Sequence, residues 1–137
     1  MRLFSALITL GLMACSPAPV LDGSWEGELD CGAAARYDID IELETQTEVL
    51  FVGSGVAELV CSDGQKCDLE FEIELALDEE QESLWKLDVD MDDCELSYSG
   101  GSEDYSCPDV DDVILRDDII EGEFEIDSLD CEMMLEP

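Results

Sequence analysis

Strict alternation of apolar and acidic residues is the feature that most limits what this chain can fold into. Four segments, residues 37–44, 68–75, 86–92 and 123–127, place an apolar side chain at every second position, with mostly Asp or Glu between. A repeat of two residues predicts β-strands that pack one face on a core and turn the other to water. Sheets of this kind are antiparallel. A shift of one residue would bury the carboxylates, so the register of each strand is strongly specified.

Further strands are predicted at about residues 24–31, 48–60, 110–116 and 129–135. Turn signals separate the strands at Cys31-Gly32, Ser62-Asp63-Gly64, Asp78 to Gln81 and Gly100-Gly101. No segment has the pattern of a strong amphipathic helix. Seven or eight short strands predict an all-β fold. We expect an up-and-down meander that closes into a barrel or nearly does so, and a β-sandwich is the alternative.

The inward positions of the alternating segments are occupied by large side chains. A barrel of about eight strands has an interior that side chains just fill, or that holds one small ligand. We therefore predict a filled core, made of Trp25, Leu29, Tyr37, Ile39, Ile41, Leu43, Leu69, Phe71, Ile73, Leu75, Leu87, Val89, Met91, Phe124 and Ile126.

The first fourteen residues have the layout of a secretory signal. Arg2 is followed by an apolar run from Leu3 to Met13, which is shorter than the roughly 20 residues that a membrane-spanning helix needs. The run ends in Leu12-Met13-Ala14-Cys15, which resembles the lipobox of bacterial lipoproteins. The resemblance implies cleavage before Cys15 and acylation of that residue, so that lipid holds the chain in the membrane. Ser16 resembles the residue that follows the cysteine in outer-membrane lipoproteins.

Six cysteines remain once Cys15 is set aside as the anchor. An even number in an exported chain predicts disulfides, although the sequence alone leaves 15 connectivities open. The spacing and the lack of histidine argue against a zinc site. Cys61 and Cys67 bracket an apparent hairpin loop, and Cys94 and Cys107 bracket a longer one. We expect Cys31 in the first strand to pair with Cys131 in the last, which would close the sheet.

The segment Gly23-Ser24-Trp25-Glu26-Gly27 resembles the Gly-x-Trp opening of lipocalin and avidin-like barrels. In those families the tryptophan covers one end of the barrel. The resemblance implies a small β-barrel and carries no ligand, because no biotin-binding motif of the avidin family is present. We interpret Trp25 as a core aromatic residue rather than a ligand contact.

The acidity of the chain excludes several kinds of partner. The sequence has 38 Asp and Glu against five Lys and Arg, a formal net charge of −33, and Arg2 is one of those five. Nucleic-acid binding requires a basic surface and is excluded. Adhesion of the folded domain to an anionic lipid surface is disfavoured for the same reason. The membrane is therefore a partner only through the lipid on Cys15.

Catalytic motifs are weak in this sequence. Without histidine, neither a Ser–His nor a Cys–His pair can form. Lys66 is predicted in a hairpin loop and Lys86 on a solvated strand face, so neither is placed to activate a serine. Carboxylate pairs are so abundant that no single pair indicates a glycosidase. We expect a protein that is not an enzyme, and a carboxylate-based hydrolase is the third-ranked hypothesis.

Calcium is the one cofactor for which the sequence offers candidates. Asp88 to Asp93 begins like an EF-hand loop, but Asp93 stands where glycine is needed and Ser99 where the bidentate glutamate is needed. A second acidic segment follows Pro108 and is predicted as a loop that could surround an ion. Its candidate ligands are Glu103, Asp104, Asp109, Asp111 and Asp112. The alternative is a solvated acidic loop that binds nothing.

These observations define three segments and a ranked set of functions. Residues 1–14 are predicted as the signal peptide, 15–22 as the lipidated cysteine and tether, and 23–137 as one acidic domain. We expect a monomeric, lipid-anchored protein of the bacterial cell envelope, held at the outer membrane, that acts as a non-enzymatic binding or structural module. The alternatives are an acidic protein that captures a cationic protein, and a protein that binds Ca²⁺ or other divalent cations.

Overall fold

The structure, a computed structural model, describes residues 19–32, 36–61, 64–82, 84–126 and 128–137. Nine strands follow one another along the chain: β1 (Gly23–Asp30), β2 (Arg36–Thr45), β3 (Leu50–Val60), β4 (Lys66–Gln81), β5 (Leu84–Tyr98), β6 (Gly101–Asp104), β7 (Asp109–Arg116), β8 (Ile119–Ile126) and β9 (Leu129–Glu136). The four alternating segments lie mainly within β2, β4, β5 and β8. The predicted all-β fold is confirmed.

Eight of these strands close into an antiparallel barrel. The strand order is β4-β3-β2-β1-β9-β8-β7-β5, and the pairing of β4 with β5 completes the ring. The barrel prediction is therefore confirmed over the sandwich alternative. β1 and β9 pair from Glu26 opposite Glu136 to Asp30 opposite Glu132, so the first and last strands are neighbours as expected.

The two ends of the barrel differ. The chain enters β1 at Gly23, and this entry end also holds the β2–β3, β4–β5 and β7–β8 connections. The other end holds the three disulfides, Cys31–Cys131, Cys61–Cys67 and Cys94–Cys107, and we call it the disulfide end. The expected Cys31–Cys131 pair is confirmed, and each of the two bracketed segments is closed by its own cysteines. These disulfides indicate folding in an oxidising compartment.

Two segments predicted to leave the sheet are strands instead. β4 continues through Asp78 to Gln81, so the predicted turn there is wrong. Apolar and acidic residues alternate poorly in this segment, and pairing with β5 keeps the backbone extended. The predicted loop between Cys94 and Cys107 contains β6, whose residues pair with Glu95 to Tyr98.

The interior is formed by the predicted apolar faces. No Asp or Glu among the described residues is buried, and the buried side chains are apolar. Of the predicted core residues, Tyr37, Val89 and Met91 are half-buried and pack against the rest. Leu21 is only 1% exposed and belongs to this core, although it lies within the segment predicted as tether.

Candidate functional site

The barrel interior has almost no free volume. A residual cavity of about 10 Å³ lies among apolar side chains that include Ile41, Phe71 and Phe124. A volume of that size is about one water-sized sphere. The prediction of a filled core is confirmed, and the described residues form no interior small-molecule site.

Trp25 lies at the entry end and contributes to this filling. It is 4% exposed, and its indole Nε1–H donates a hydrogen bond to the carbonyl oxygen of Leu21 at 2.9 Å. This hydrogen bond links β1 to the buried residue Leu21, which precedes the strand. The placement agrees with the interpretation of Trp25 as a core residue.

The outer surface carries carboxylates in rows that run across the strands. One row joins Asp111, Glu123, Glu132 and Asp30 on β7, β8, β9 and β1, because each residue lies opposite the next. Arg36 of β2 ends the row, with its Nη2 3.6 Å from Oδ2 of Asp30. Opposed like charges on neighbouring strands repel each other.

A cleft of about 530 Å³ at the disulfide end is formed by this row and the next one. Its seven carboxylates belong to Asp30, Asp109, Asp111, Glu123, Glu125, Asp130 and Glu132. We call it the disulfide-end cleft. Such a concentration of negative charge produces a field that attracts cations over a long range.

A second depression, of about 380 Å³, lies on a different part of the barrel wall, over β2, β3, β4 and β5. It is lined by Glu44, Gln46, Val52, Gly53, Glu72, Ile73, Glu74, Asp90 and Asp92. We call it the β3 groove. It differs from the disulfide-end cleft because an outward apolar side chain, Val52, lies between the acidic ones.

Glu72 is a carboxyl whose environment the structure perturbs. β5 has an irregularity opposite Phe71, where Asp93 adopts a φ of 49° and both Asp92 and Asp93 are exposed. The pKa of Glu72 is raised, first by a hydrogen bond with the Asp93 carboxyl and then by the charge of Asp93. Desolvation and the charge of Asp92 raise this pKa further. Glu72 therefore keeps its proton to a higher pH than an ordinary exposed glutamate does.

The predicted calcium ligands do not lie in a loop. Asp109, Asp111 and Asp112 belong to β7, and Glu103 and Asp104 belong to β6. Pairing with β8 holds Asp109 and Asp111 on extended backbone, and pairing with β5 does the same for Glu103 and Asp104. Asp112 lies at an irregularity of β7 that the register with β8 skips, and its φ is 50°. Within the described residues, no group of three or more His, Cys, Asp or Glu side chains could hold a metal ion. The loop interpretation is wrong because strand pairing extends the segment on both sides of Pro108.

The two lysines weighed as catalytic candidates both lie on strands. Lys66 is the first residue of β4, opposite Val60, and is not in the loop where the sequence predicts it. Lys86 is exposed on β5, as expected.

The predicted signal peptide and the predicted lipidation site, Cys15, lie outside the described residues. No helix in the described ranges is long and apolar enough to cross a membrane.

Neither the β3 groove nor the irregularity at Asp93 was predicted from the sequence. A signal for the first was present, because residues 50–57, LFVGSGVA, contain no acidic residue in a chain that is otherwise rich in them. The irregularity had no clear signal, since Asp92-Asp93 reads as one more acidic pair.

Comparison with protein families and with curated proteins finds no match to this sequence. Among solved structures, the chain is similar to a designed fluorescence-activating β-barrel, with 15% sequence identity and a TM-score of 0.46. The match covers 89% of this chain and 97% of the designed one. By its own strand pairing and burial, the chain belongs to the class of small, disulfide-linked, eight-stranded β-barrels, here with an acidic outer surface.

Proposed function

We propose that this protein is a lipid-anchored, non-enzymatic binding module of the bacterial cell envelope that captures a cationic protein or peptide on its outer surface. The observation that carries the proposal is the contrast between a filled interior and carboxylate rows outside. An interior ligand has no room. The surface, by contrast, offers many carboxylates that a basic partner can neutralise.

The geometry of the chain supports an anchor at the entry end. The buried Leu21 lies six positions after Cys15, and an extended chain spans at most about 3.6 Å per residue. Lipid on Cys15 would therefore hold the entry end within about 20 Å of the bilayer. The disulfide-end cleft would then face away from the membrane, open to a soluble partner.

Electrostatics supports a cationic partner over other classes. Complementary charge increases the rate of encounter and suppresses binding of acidic competitors. Each contact that depends on exposed carboxylates should weaken as salt is added, because the Debye length falls from about 10 Å at 0.1 M to about 3 Å at 1 M.

Binding to a cationic probe tests the capture function. The purified protein is titrated with oligolysine and with an uncharged peptide of the same length, at about 0.05 M and about 0.5 M NaCl. We expect binding of oligolysine that weakens at the higher salt concentration, and no binding of the uncharged peptide. Absence of oligolysine binding at the lower salt concentration would contradict the proposal and favour a surface adapted to solvent alone.

A separate measurement tests the anchor. The full chain is expressed in a Gram-negative bacterium, and the mass of the mature protein is measured together with its partition into detergent. We expect cleavage before Cys15, an added acyl mass on that residue and recovery in the detergent phase. The Cys15→Ser variant should stay in the aqueous phase, and equal partition of both proteins would contradict the anchor.

A further inference from the structure

The outer face of β3 is a part of the acidic surface that binding of cations alone does not explain. Val52, Ser54 and Val56 point outward, since they alternate with the inward Phe51, Gly53, Gly55 and Ala57. The two valines are half-buried, and Ser54 is exposed. A short stripe without charge thus runs along β3 for about 14 Å from Val52 to Val56.

Carboxylates flank this stripe on both sides at every step. On the β2 side, Glu44, Glu42 and Asp40 lie opposite Val52, Ser54 and Val56. On the β4 side, the same three residues lie opposite Glu74, Glu72 and Glu70. Adjacent strands are about 4.8 Å apart, so the two acidic rows run parallel at a separation of about 10 Å.

The surface is concave along the entry-end part of the stripe. The β3 groove has a volume of about 380 Å³, with Val52 and Gly53 between Glu44 of β2 and Glu74 of β4. Asp90 and Asp92 of β5 extend the acidic side beyond β4.

Hydroxyl groups orient two of the flanking carboxylates. Ser24 Oγ donates to Glu42 Oε1 at 3.3 Å, and Ser97 Oγ donates to Glu70 Oε2 at 2.7 Å. Each bond comes from the strand on the far side of the acidic row, β1 for Glu42 and β5 for Glu70. Both rows thus have a carboxylate held in place beside the stripe.

We propose that the β3 groove binds a cationic amphipathic helix, with the apolar stripe of the helix on Val52 and Val56 and its Lys or Arg side chains on the acidic rows of β2 and β4. A helix with its side chains is about 10–12 Å wide, which matches the separation of the two rows. Residues three and four apart lie on one face of a helix, so a narrow apolar stripe with cations on both flanks is readily built. This inference rests on the capture function and specifies the surface and the partner.

The disulfide-end cleft offers no such match. Its acidic rows on β7, β8, β9 and β1 are adjacent, with no outward apolar side chain between Glu123 and Glu132. A cation of any shape is therefore suited to that cleft, whereas the β3 groove distinguishes a partner by the pattern of its apolar and charged residues.

Two peptides of identical composition test the pattern. Each has about 15 residues, Leu and Lys only; one carries the leucines as a single helical stripe and the other has them scrambled. Affinity of the full mature protein for each is measured by calorimetry at about 0.15 M NaCl. We expect the striped peptide to bind about tenfold more tightly than the scrambled one, and to gain helical circular dichroism on binding.

Three double variants locate the site. Val52→Thr with Val56→Thr keeps the β-branched shape and the charge. It should lower the affinity for the striped peptide about threefold or more and leave the affinity for the scrambled peptide unchanged. Glu44→Gln with Glu74→Gln removes two flanking charges. Glu123→Gln with Glu132→Gln removes the same charge from the disulfide-end cleft and is the matched control. We expect Glu44→Gln with Glu74→Gln to lower the affinity for the striped peptide more than Glu123→Gln with Glu132→Gln does. Thermal unfolding of the three double variants checks that each one folds.

The outcomes separate this inference from the capture function. Equal affinity for the two peptides, or equal losses in the two charge variants, would overturn the β3 site and leave general capture of cations intact. Failure of both peptides to bind at about 0.05 M NaCl would overturn both proposals.

Discussion

Single inward residues determine how tightly this barrel can close. An added Cβ at Gly53 would lie 1.7 Å from the carbonyl oxygen of Glu42, which means that β2 and β3 approach more closely there than any side chain allows. At Gly55 the space is taken by the ring of Phe71, 2.5 Å from the Cβ position. Small residues on β3 therefore accommodate the curvature of the sheet, and a large residue on β4 fills the space they leave.

Replacing Gly53 tests this close approach. Gly53→Ala should lower the free energy of unfolding by about 2 kcal/mol or more, because the two backbones must separate. Gly100→Ala is the control, since its Cβ would meet the Tyr98 ring at an ordinary 3.6 Å. Denaturant titration with the disulfides intact measures both, and equal costs would contradict the argument.

The ionisation of Glu72 makes the stability of the fold depend on pH. Its raised pKa means that the folded protein holds a proton there more tightly than the unfolded chain, so this contribution to stability is present at low pH. It is lost as the pH rises through the raised pKa. Ser54 faces Glu72 from β3 without charge, and Asp92 faces it from β5. The unfavourable charges thus come from the β5 side.

A neutral side chain at this position should remove the effect. Glu72→Gln is expected to raise the melting temperature at pH near 7 and to reduce its fall between about pH 4 and pH 7, because an uncharged side chain there is not repelled by the charges of Asp92 and Asp93. Glu28→Gln controls for the loss of one negative charge elsewhere. Thermal melts across that pH range provide the measurement, and a gain no larger than that of the control would count against the prediction.

At the scale of elements, β5 pairs with two different strands along one of its sides. Near the entry end, Trp85, Lys86 and Leu87 of β5 lie opposite residues 115, 114 and 113 of β7. Near the disulfide end, β5 pairs instead with β6, from Glu95 to Tyr98. One long strand therefore supports two shorter ones on the same side.

The connection between β6 and β7 is fastened to β5. Tyr105 N donates to the carbonyl oxygen of Cys94 at 3.0 Å, which continues the β6 pairing by one residue. The Cys94–Cys107 disulfide adds a covalent link between the connection and β5. Pro108, which has no N–H to donate, lies where the strand pairing of this segment is interrupted.

The three disulfides constrain elements of very different separation along the chain. Cys31–Cys131 joins residues 100 apart, Cys94–Cys107 residues 13 apart and Cys61–Cys67 residues 6 apart. In the chain-entropy account, a cross-link stabilises the fold by restricting the unfolded chain, and it does so more for longer loops. The link between the first and last strands should therefore contribute most.

Removal of the disulfide with the longest loop and of the one with the shortest loop tests that order. The double variant Cys31→Ser with Cys131→Ser should lose about 4–5 kcal/mol of unfolding free energy, and Cys61→Ser with Cys67→Ser about 2 kcal/mol. Denaturant titration of the two variants and the parent protein gives both differences. A loss from the short link that equals the loss from the long one would contradict the expected order.

For the whole molecule, repulsion between carboxylates lowers the stability of the folded state. The chain has a formal net charge of −33, and closure of the barrel places carboxylates opposite one another across neighbouring strands. Each opposed pair costs roughly 0.2–1 kcal/mol, and a typical domain is stable by only about 5–15 kcal/mol. Several such pairs therefore reduce the stability by a large fraction, and salt should restore much of it.

A salt series measures this cost. Raising NaCl from about 0.05 M to about 1 M should raise the melting temperature by about 10 °C or more, because the repulsion is screened. CaCl₂ at matched ionic strength is expected to have the same effect, since the described carboxylates form no metal-binding group. A clearly larger rise with calcium would contradict this expectation and direct attention to the acidic residues of β6 and β7.

The alternating strands, the faces they bury and the side on which their charge lies follow from local sequence. An alternation of period two is a property of a segment alone, so β2, β4, β5 and β8 could be predicted from their own residues. The positions of Cys31, at the end of the first predicted strand, and of Cys131, in the last, also favoured closure of the sheet.

The neighbours of each strand around the barrel, and the side chains that those neighbours bring together, depend on tertiary contacts. The extension of β4 to Gln81, the strand β6 and the extended course of Asp109 to Asp111 require hydrogen bonds to partner strands, which local sequence does not contain. The β3 groove likewise exists only because β2 and β4 lie on either side of Val52 and Val56. Pairing between distant segments is set by the packing of the whole core, and a pattern read along one segment cannot specify it.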